Sequence, residues 1–176
     1  MTRIIESHIE QWVIEALQTK GFIYIPPERM DPDHSIDLRS GLGDVVIVPY
    51  LFDALVSINP HVSSNVLQQA IKEITRIPGQ GDLITGNQYF QTLITDGVDV
   101  TWIEKGEERT VKAKLVDDTN PGNNLWHITH QVTIIENGQH KRPDVILYLN
   151  GLPVIILELK NPVGGSETVI DKAYQQ

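Results

Sequence analysis

The chain has no cysteine among its 176 residues. Disulfides and thiolate metal sites are therefore excluded. No apolar run approaches the roughly 20 residues that a membrane helix needs. The start shows no signal-peptide pattern either, because Glu6, His8 and Glu10 interrupt its only apolar stretch. These absences agree with a cytoplasmic protein that has no membrane partner. Positive charge is scarce: 14 Lys and Arg against 23 Asp and Glu give a formal net charge of −9. That balance argues against a general electrostatic grip on nucleic acid. No G-x-x-x-x-G-K-[ST] loop occurs, so these residues offer no usual cradle for ATP phosphates.

What is present is ordinary for a globular chain, with 40% apolar and 21% charged residues. The length suits one core, or one core plus a small appendage. "IIESHIEQWVIEALQTKGF" spaces Ile5, Ile9, Trp12, Val13, Ala16 and Leu17 as a helix, with Gly21 as its stop. "IPPERMDPDHSIDLRSG" reads as loop with room for a short helix. "GDVVIVPYLFDALVSIN" reads as a helix with Asp44 near its start, so Pro49 must lie in the first turn or kink it. "SSNVLQQAIKEITRIPG" opens with serine caps and stops at Pro78-Gly79, and "NQYFQTLITDG" is a shorter helix closed by Gly97. After Gly97 the pattern alternates. "VDVTWIEKGEERTVKAKLVD" turns at Gly106. "NLWHITHQVTIIENGQHKRPDVILYLNGLPVIILELK" gives three strands, with turns at Asn137-Gly138 and Asn150-Gly151. "SETVIDKAYQQ" starts like a capped helix and stops in mid-pattern. Helices, then an antiparallel-rich sheet, then a helix imply an α/β or α+β layer architecture.

The chemistry concentrates in "RPDVILYLNGLPVIILELKNP", 142–162. Strand side chains alternate, so Glu158 and Lys160 share a face while Leu157 and Leu159 point to packing. Folding at Asn150-Gly151 brings Asp144 near Glu158. Two carboxylates and a lysine then converge at one end of a sheet. Burying them costs several kcal/mol unless they are paired or bind a metal. Two carboxylates suit a hard divalent ion such as Mg2+, which takes oxygen ligands. Such an ion acidifies bound water and neutralises charge on a phosphoryl oxygen. The competing reading is a solvated salt bridge worth about 0–1 kcal/mol.

"Pro143-Asp144 … Glu158-Leu159-Lys160" matches the PD-(D/E)xK nuclease signature. The whole hairpin resembles the nuclease domain of the restriction (R, motor) subunit of type I restriction-modification enzymes. So do "ESHIEQWVIEAL", "NQYFQTLITDGVDV" and "NLWHITHQVTI". The resemblance implies an α/β fold, with a restriction-endonuclease-like mixed β-sheet flanked by helices. It implies one nuclease domain over 1–176: helical to about 97, sheet-forming over about 98–162, and opening a C-terminal helix at about 166–176.

By that resemblance Asp144 and Glu158 are the metal-binding acids, Lys160 is the catalytic lysine, and the Leu159 carbonyl is a further metal ligand. A helix-1 glutamate often joins such sites; Glu10 is the candidate and Glu6 the reserve, at i, i+4 spacing. A solvated helix residue is the alternative for Glu10. In the family's Gln-x-x-x-Tyr element, Gln176 is the match for the Gln, with Gln175 the alternative. The Tyr would fall at or just beyond Gln176, so the chain looks like a truncated piece of a larger subunit. The family implies Mg2+ as cofactor and double-stranded DNA as substrate. It also implies methyltransferase and specificity subunits as partners, and ATP used by translocase domains outside these residues. DNA delivered by other domains would reconcile the acidic balance with a nuclease.

Lys141 and Arg142, with His140, form a small basic cluster beside Asp144 that suits a phosphate contact or a solvated turn. Gln131 could support the active-site face or simply pack. His127 and His130, three apart on a strand, face opposite sides and make a poor metal pair. "NPGNN", 120–124, is a loop that could approach DNA or merely connect. The rival functions are a stand-alone PD-(D/E)xK nuclease for repair or recombination, and a non-catalytic assembly module.

Overall fold

The computed structural model describes residues 6–76, 83–136 and 138–159. Lys160, Gln175, Gln176, the expected C-terminal helix and the expected stop at Pro78-Gly79 lie outside them. The elements run α1 (Glu6–Gln18), β1 (Ile23–Tyr24), α2 (Val48–Ile58), α3 (Ser64–Thr75), α4 (Leu83–Asp96), β2 (Val98–Glu104), β3 (Glu107–Ala113), β4 (Trp126–His130), β5 (Ile134–Glu136), β6 (Gln139–Lys141), β7 (Val145–Leu149) and β8 (Leu152–Leu157). They divide into two units, one of 1–45, 126–148 and 153–176, the other of 46–125 and 149–152. This is an α/β architecture with a mixed sheet, consistent with the restriction-endonuclease-like expectation.

The first unit is built on a four-stranded sheet in the order β1-β4-β7-β8. β1 runs parallel to β4, with Ile23 opposite His127 and Tyr24 opposite Ile128. β4 meets β7 end to start, since the Gln131 N–H just past β4 donates to the Asp144 carbonyl just before β7 at 3.1 Å. That pairing is antiparallel. One face of the sheet is covered by α1: Ile14 packs with Ile128, Val145 and Leu147, and Val13, Leu17, Leu157 and Leu159 join them.

Helix α1 stops where Gly21 adopts φ 93°. The Phe22 N–H returns to the Leu17 carbonyl at 3.1 Å, and the Gly21 N–H to the Gln18 carbonyl at 3.0 Å. This paired closure satisfies the helix's last carbonyls and needs the left-handed residue that glycine supplies. The short connection reverses the chain, so the start of α1 lies at the end of the sheet where β4 finishes.

The loop after β1 is organised by one cation. Arg39 is buried, and its guanidinium donates to four carbonyls: Asp44 at 2.7 Å, Leu42 at 2.7 Å, Met30 at 3.0 Å and Thr133 at 3.1 Å. The fork geometry of arginine allows one side chain to pin several backbone strands. Burial lowers its pKa, opposed by the charges of Tyr148, Asp44 and Asp31.

In the second unit α2 packs on α3, and α3 on β2. Leu51, Leu55, Leu67, Ala70, Ile74, Val98, Val100 and Leu115 are buried. Pro49 sits in the first turn of α2, the first of the two placements its chemistry permits. The turn 149–152 also belongs here. Asn150 and Gly151 have φ 53° and 82°, as a two-residue hairpin turn of mirror-image type requires. The Asn150 side chain is buried and bonds the Leu125 N–H at 2.8 Å and the Leu115 carbonyl at 2.9 Å.

Three strand expectations differ from the structure. β1 falls between the expected first helix and the loop that begins at Ile25, where no element is expected; two residues are too few for an alternation to register. β2 and β3 form their own two-stranded sheet. The expected three strands over 124–160 are five, because the chain breaks at Gln131, with φ 51°, and again at Pro143 before β7. β5 and β6 form a third small sheet between those breaks.

Candidate active site at the end of the central hairpin

Asp144 lies at the start of β7, half-buried. Both of its carboxylate oxygens accept a hydrogen bond. Oδ2 takes the backbone N–H of Leu159 at 2.6 Å. Oδ1 takes the side-chain amide of Gln131 at 3.1 Å. Gln131 itself is held from the other side, because Arg142 Nε donates to its carbonyl at 3.1 Å. Three chain segments, the ends of β4 and β8 and the approach to β7, thus converge on one carboxylate.

Leu157 and Leu159 pack on the α1 side with Val145 and Leu147. By strand alternation Asp144 and Glu158 then belong to the opposite side. Glu158 is exposed just past the end of β8. The structure therefore brings Asp144 and Leu159 into contact, with Glu158 the residue before Leu159; Lys160 and Gln176 lie outside the described residues. Glu10 is half-buried on α1, one turn before Ile14. It sits on the helix that covers the other face of the sheet. Lys141 and Arg142 are exposed.

The donor set suits a hard cation. A carboxylate offers about four lone-pair positions, and the bonds from Leu159 and Gln131 use two on Asp144. One position on each oxygen remains. Among the described residues no group of three or more His, Asp or Glu side chains is arranged to hold a metal ion. A site here would consist of two carboxylates, a carbonyl and water, a composition usual for Mg2+.

The two histidines on β4 differ in burial. His127 is buried, and burial lowers its pKa. His130 is half-buried, its Nδ1 3.2 Å from the Tyr24 hydroxyl. Burial, then the charge of Glu28, raises the Tyr24 pKa. A cavity of about 430 Å3 opens beside Gln131 and Arg142, with Glu28, Asp31 and His34 on its far wall. His34 Nδ1 is 2.9 Å from Asp31 Oδ2. Asp31 is held below the usual carboxylate range first by the Asp33 backbone N–H; desolvation opposes it, and His34 and Arg39 add smaller lowering contributions. Sequence reasoning left Gln131 between support and packing. Pairing the end of β4 with the start of β7 would have placed it on Asp144.

The model of the family "Type I restriction enzyme R protein N terminus" matches residues 4–176. The chain belongs to that family. The resemblance read from the hairpin and its flanks is borne out at this level. As a type I R-protein N terminus it is similar to the HindI endonuclease subunit of Haemophilus influenzae, a type I restriction enzyme subunit: 33% identity over 172 residues, 97% of this chain and 16% of that protein. It is also similar to the putative type I restriction enzyme MjaIXP endonuclease subunit of Methanocaldococcus jannaschii, with 27% identity over 157 residues, 88% of this chain and 15% of that protein. The chain thus spans about a sixth of the relatives it matches. Among the described residues of this R-protein N terminus, no helix is long and apolar enough to cross a membrane.

Proposed function

We propose that this chain is the nuclease domain of a type I restriction enzyme R subunit, cleaving double-stranded DNA in the cytoplasm with Mg2+ as cofactor. The observation that carries the reading is the 2.6 Å bond from the Leu159 N–H to Asp144. It ties the first acid of the signature to the residue between Glu158 and Lys160. Family membership supports the same assignment.

Asp144, Glu158 and the Leu159 carbonyl would hold the metal. When bound, Mg2+ supplies an acidified water and neutralises charge on the phosphoryl oxygen. Asp144 enters the reaction already oriented, since Gln131 and Leu159 fix its carboxylate. Lys160, two residues past Glu158, orients the attacking water and offsets the negative charge that develops on the phosphate. Glu10 and Gln176 are assigned supporting roles in the same chemistry. Arg142 and Lys141 supply phosphate contacts beside Asp144. Methyltransferase and specificity subunits, and ATP-driven domains elsewhere in the protein, bring the DNA. A net charge of −9 is compatible with a nuclease that does not find its substrate unaided.

The test uses the full-length protein in its assembled complex, on circular duplex DNA with ATP and Mg2+. Lys160→Ala and Asp144→Ala should abolish linear product while ATP hydrolysis continues. Cleavage at the parent rate by either variant would refute the assignment.

A further inference from the structure

Gln131 is held at three points around Asp144. Its backbone N–H donates to the Asp144 carbonyl at 3.1 Å, its carbonyl accepts from Arg142 Nε at 3.1 Å, and its side-chain amide donates to Asp144 Oδ1 at 3.1 Å. It does this at φ 51°, a left-handed conformation that disfavours glutamine. Glycine or asparagine would relieve that backbone cost. The side chain is half-buried and also lines the 430 Å3 cavity.

We infer that Gln131 is a positioning residue for the metal site: its amide fixes the rotation of the Asp144 carboxylate, so that the remaining lone pairs on Oδ1 and Oδ2 present to the cation. The inference rests on the nuclease reading. The backbone contacts at 131 serve the fold, because they pair β4 with β7. The amide serves the carboxylate. Partners that orient a ligating group in this way typically change metal affinity or activity by about 10–100-fold when removed.

Two variants separate the roles. Gln131→Met keeps the length of the side chain and removes the donor. Gln131→Gly removes the donor and relaxes the φ 51° backbone. Mn2+ binding is measured by electron paramagnetic resonance on the full-length protein without nucleotide, with Asp144→Asn marking the fraction due to this site. Both Gln131 variants should bind Mn2+ there about 10–100-fold more weakly, and both should need correspondingly more Mn2+ for cleavage. A purely structural role predicts that the glycine variant binds as well as the parent. Affinity within twofold of the parent in both variants, while Asp144→Asn loses the site, overturns the role of Gln131 and leaves the nuclease reading standing. Unchanged binding in Asp144→Asn as well overturns both.

Discussion

The backbone N–H of Leu159 donates to the Asp144 carboxylate at 2.6 Å. A charge-assisted bond of this kind is about twice as strong as a neutral one. It locks the end of β8 against the start of β7, where Glu158, Leu159 and Lys160 follow one another. The Leu159 backbone and the Gln131 side chain are therefore gathered around one acceptor.

Removing that acceptor should loosen the end of β8. Asp144→Ala leaves the Leu159 N–H and the Gln131 amide without their shared partner, which costs about 1–3 kcal/mol for a part-buried pair. Hydrogen exchange of peptides containing Leu159 should quicken by the same measure. Asp144→Asn retains an acceptor oxygen and should quicken exchange less. Equal protection in Asp144→Ala and the parent would show that the bond does not hold the strand end.

Two glycine substitutions should differ in severity. At Gly151 a Cβ would lie 2.5 Å from the Ile47 carbonyl oxygen and 2.8 Å from the Leu51 nitrogen, at φ 82°. At Gly21 the φ is 93°, with nothing within 4 Å of an added Cβ. Gly21→Ala therefore carries only the left-handed backbone cost, about 1–2 kcal/mol. Gly151→Ala adds a clash with backbone that cannot move cheaply. Urea midpoints should fall in both and clearly further for Gly151→Ala; the reverse order would contradict the close approach at that turn.

The His127 imidazole is pushed below its usual pKa by burial. Between that lowered value and about 6.5, the unfolded chain binds more protons than the folded one. Stability therefore rises with pH across this window and is flat above it with respect to His127. His127→Gln should flatten the dependence of the urea midpoint just below about pH 6.5. An unchanged slope would mean that other groups set it.

Much of this was legible from residue order. The helix stops at Gly21 and Gly97, the Asn150-Gly151 turn, and the approach of Asp144 to the end of β8 follow from glycine stop signals, turn chemistry and strand alternation; α3 starts at the expected serines, although the Ser63 side chain makes no capping bond. β1 was not legible, because two residues paired in parallel with β4 owe their conformation to a partner about a hundred positions away. The break at Gln131 was hidden for a related reason. Glutamine gives no local signal for φ 51°, and tertiary bonds to Asp144 and Arg142 impose it. The carbonyl clamp of Arg39 was equally silent, since nothing in "IDLRSG" announces a buried guanidinium.

Anomalous diffraction from crystals of the full-length protein grown with Mn2+ tests the metal assignment most directly. The expected result is a peak at about 2.1–2.3 Å from oxygens of Asp144 and Glu158 and from the Leu159 carbonyl, typical of hard divalent coordination. A Mn2+-saturated crystal with no peak at Asp144, its carboxylate held only by Gln131 and Leu159, would contradict it.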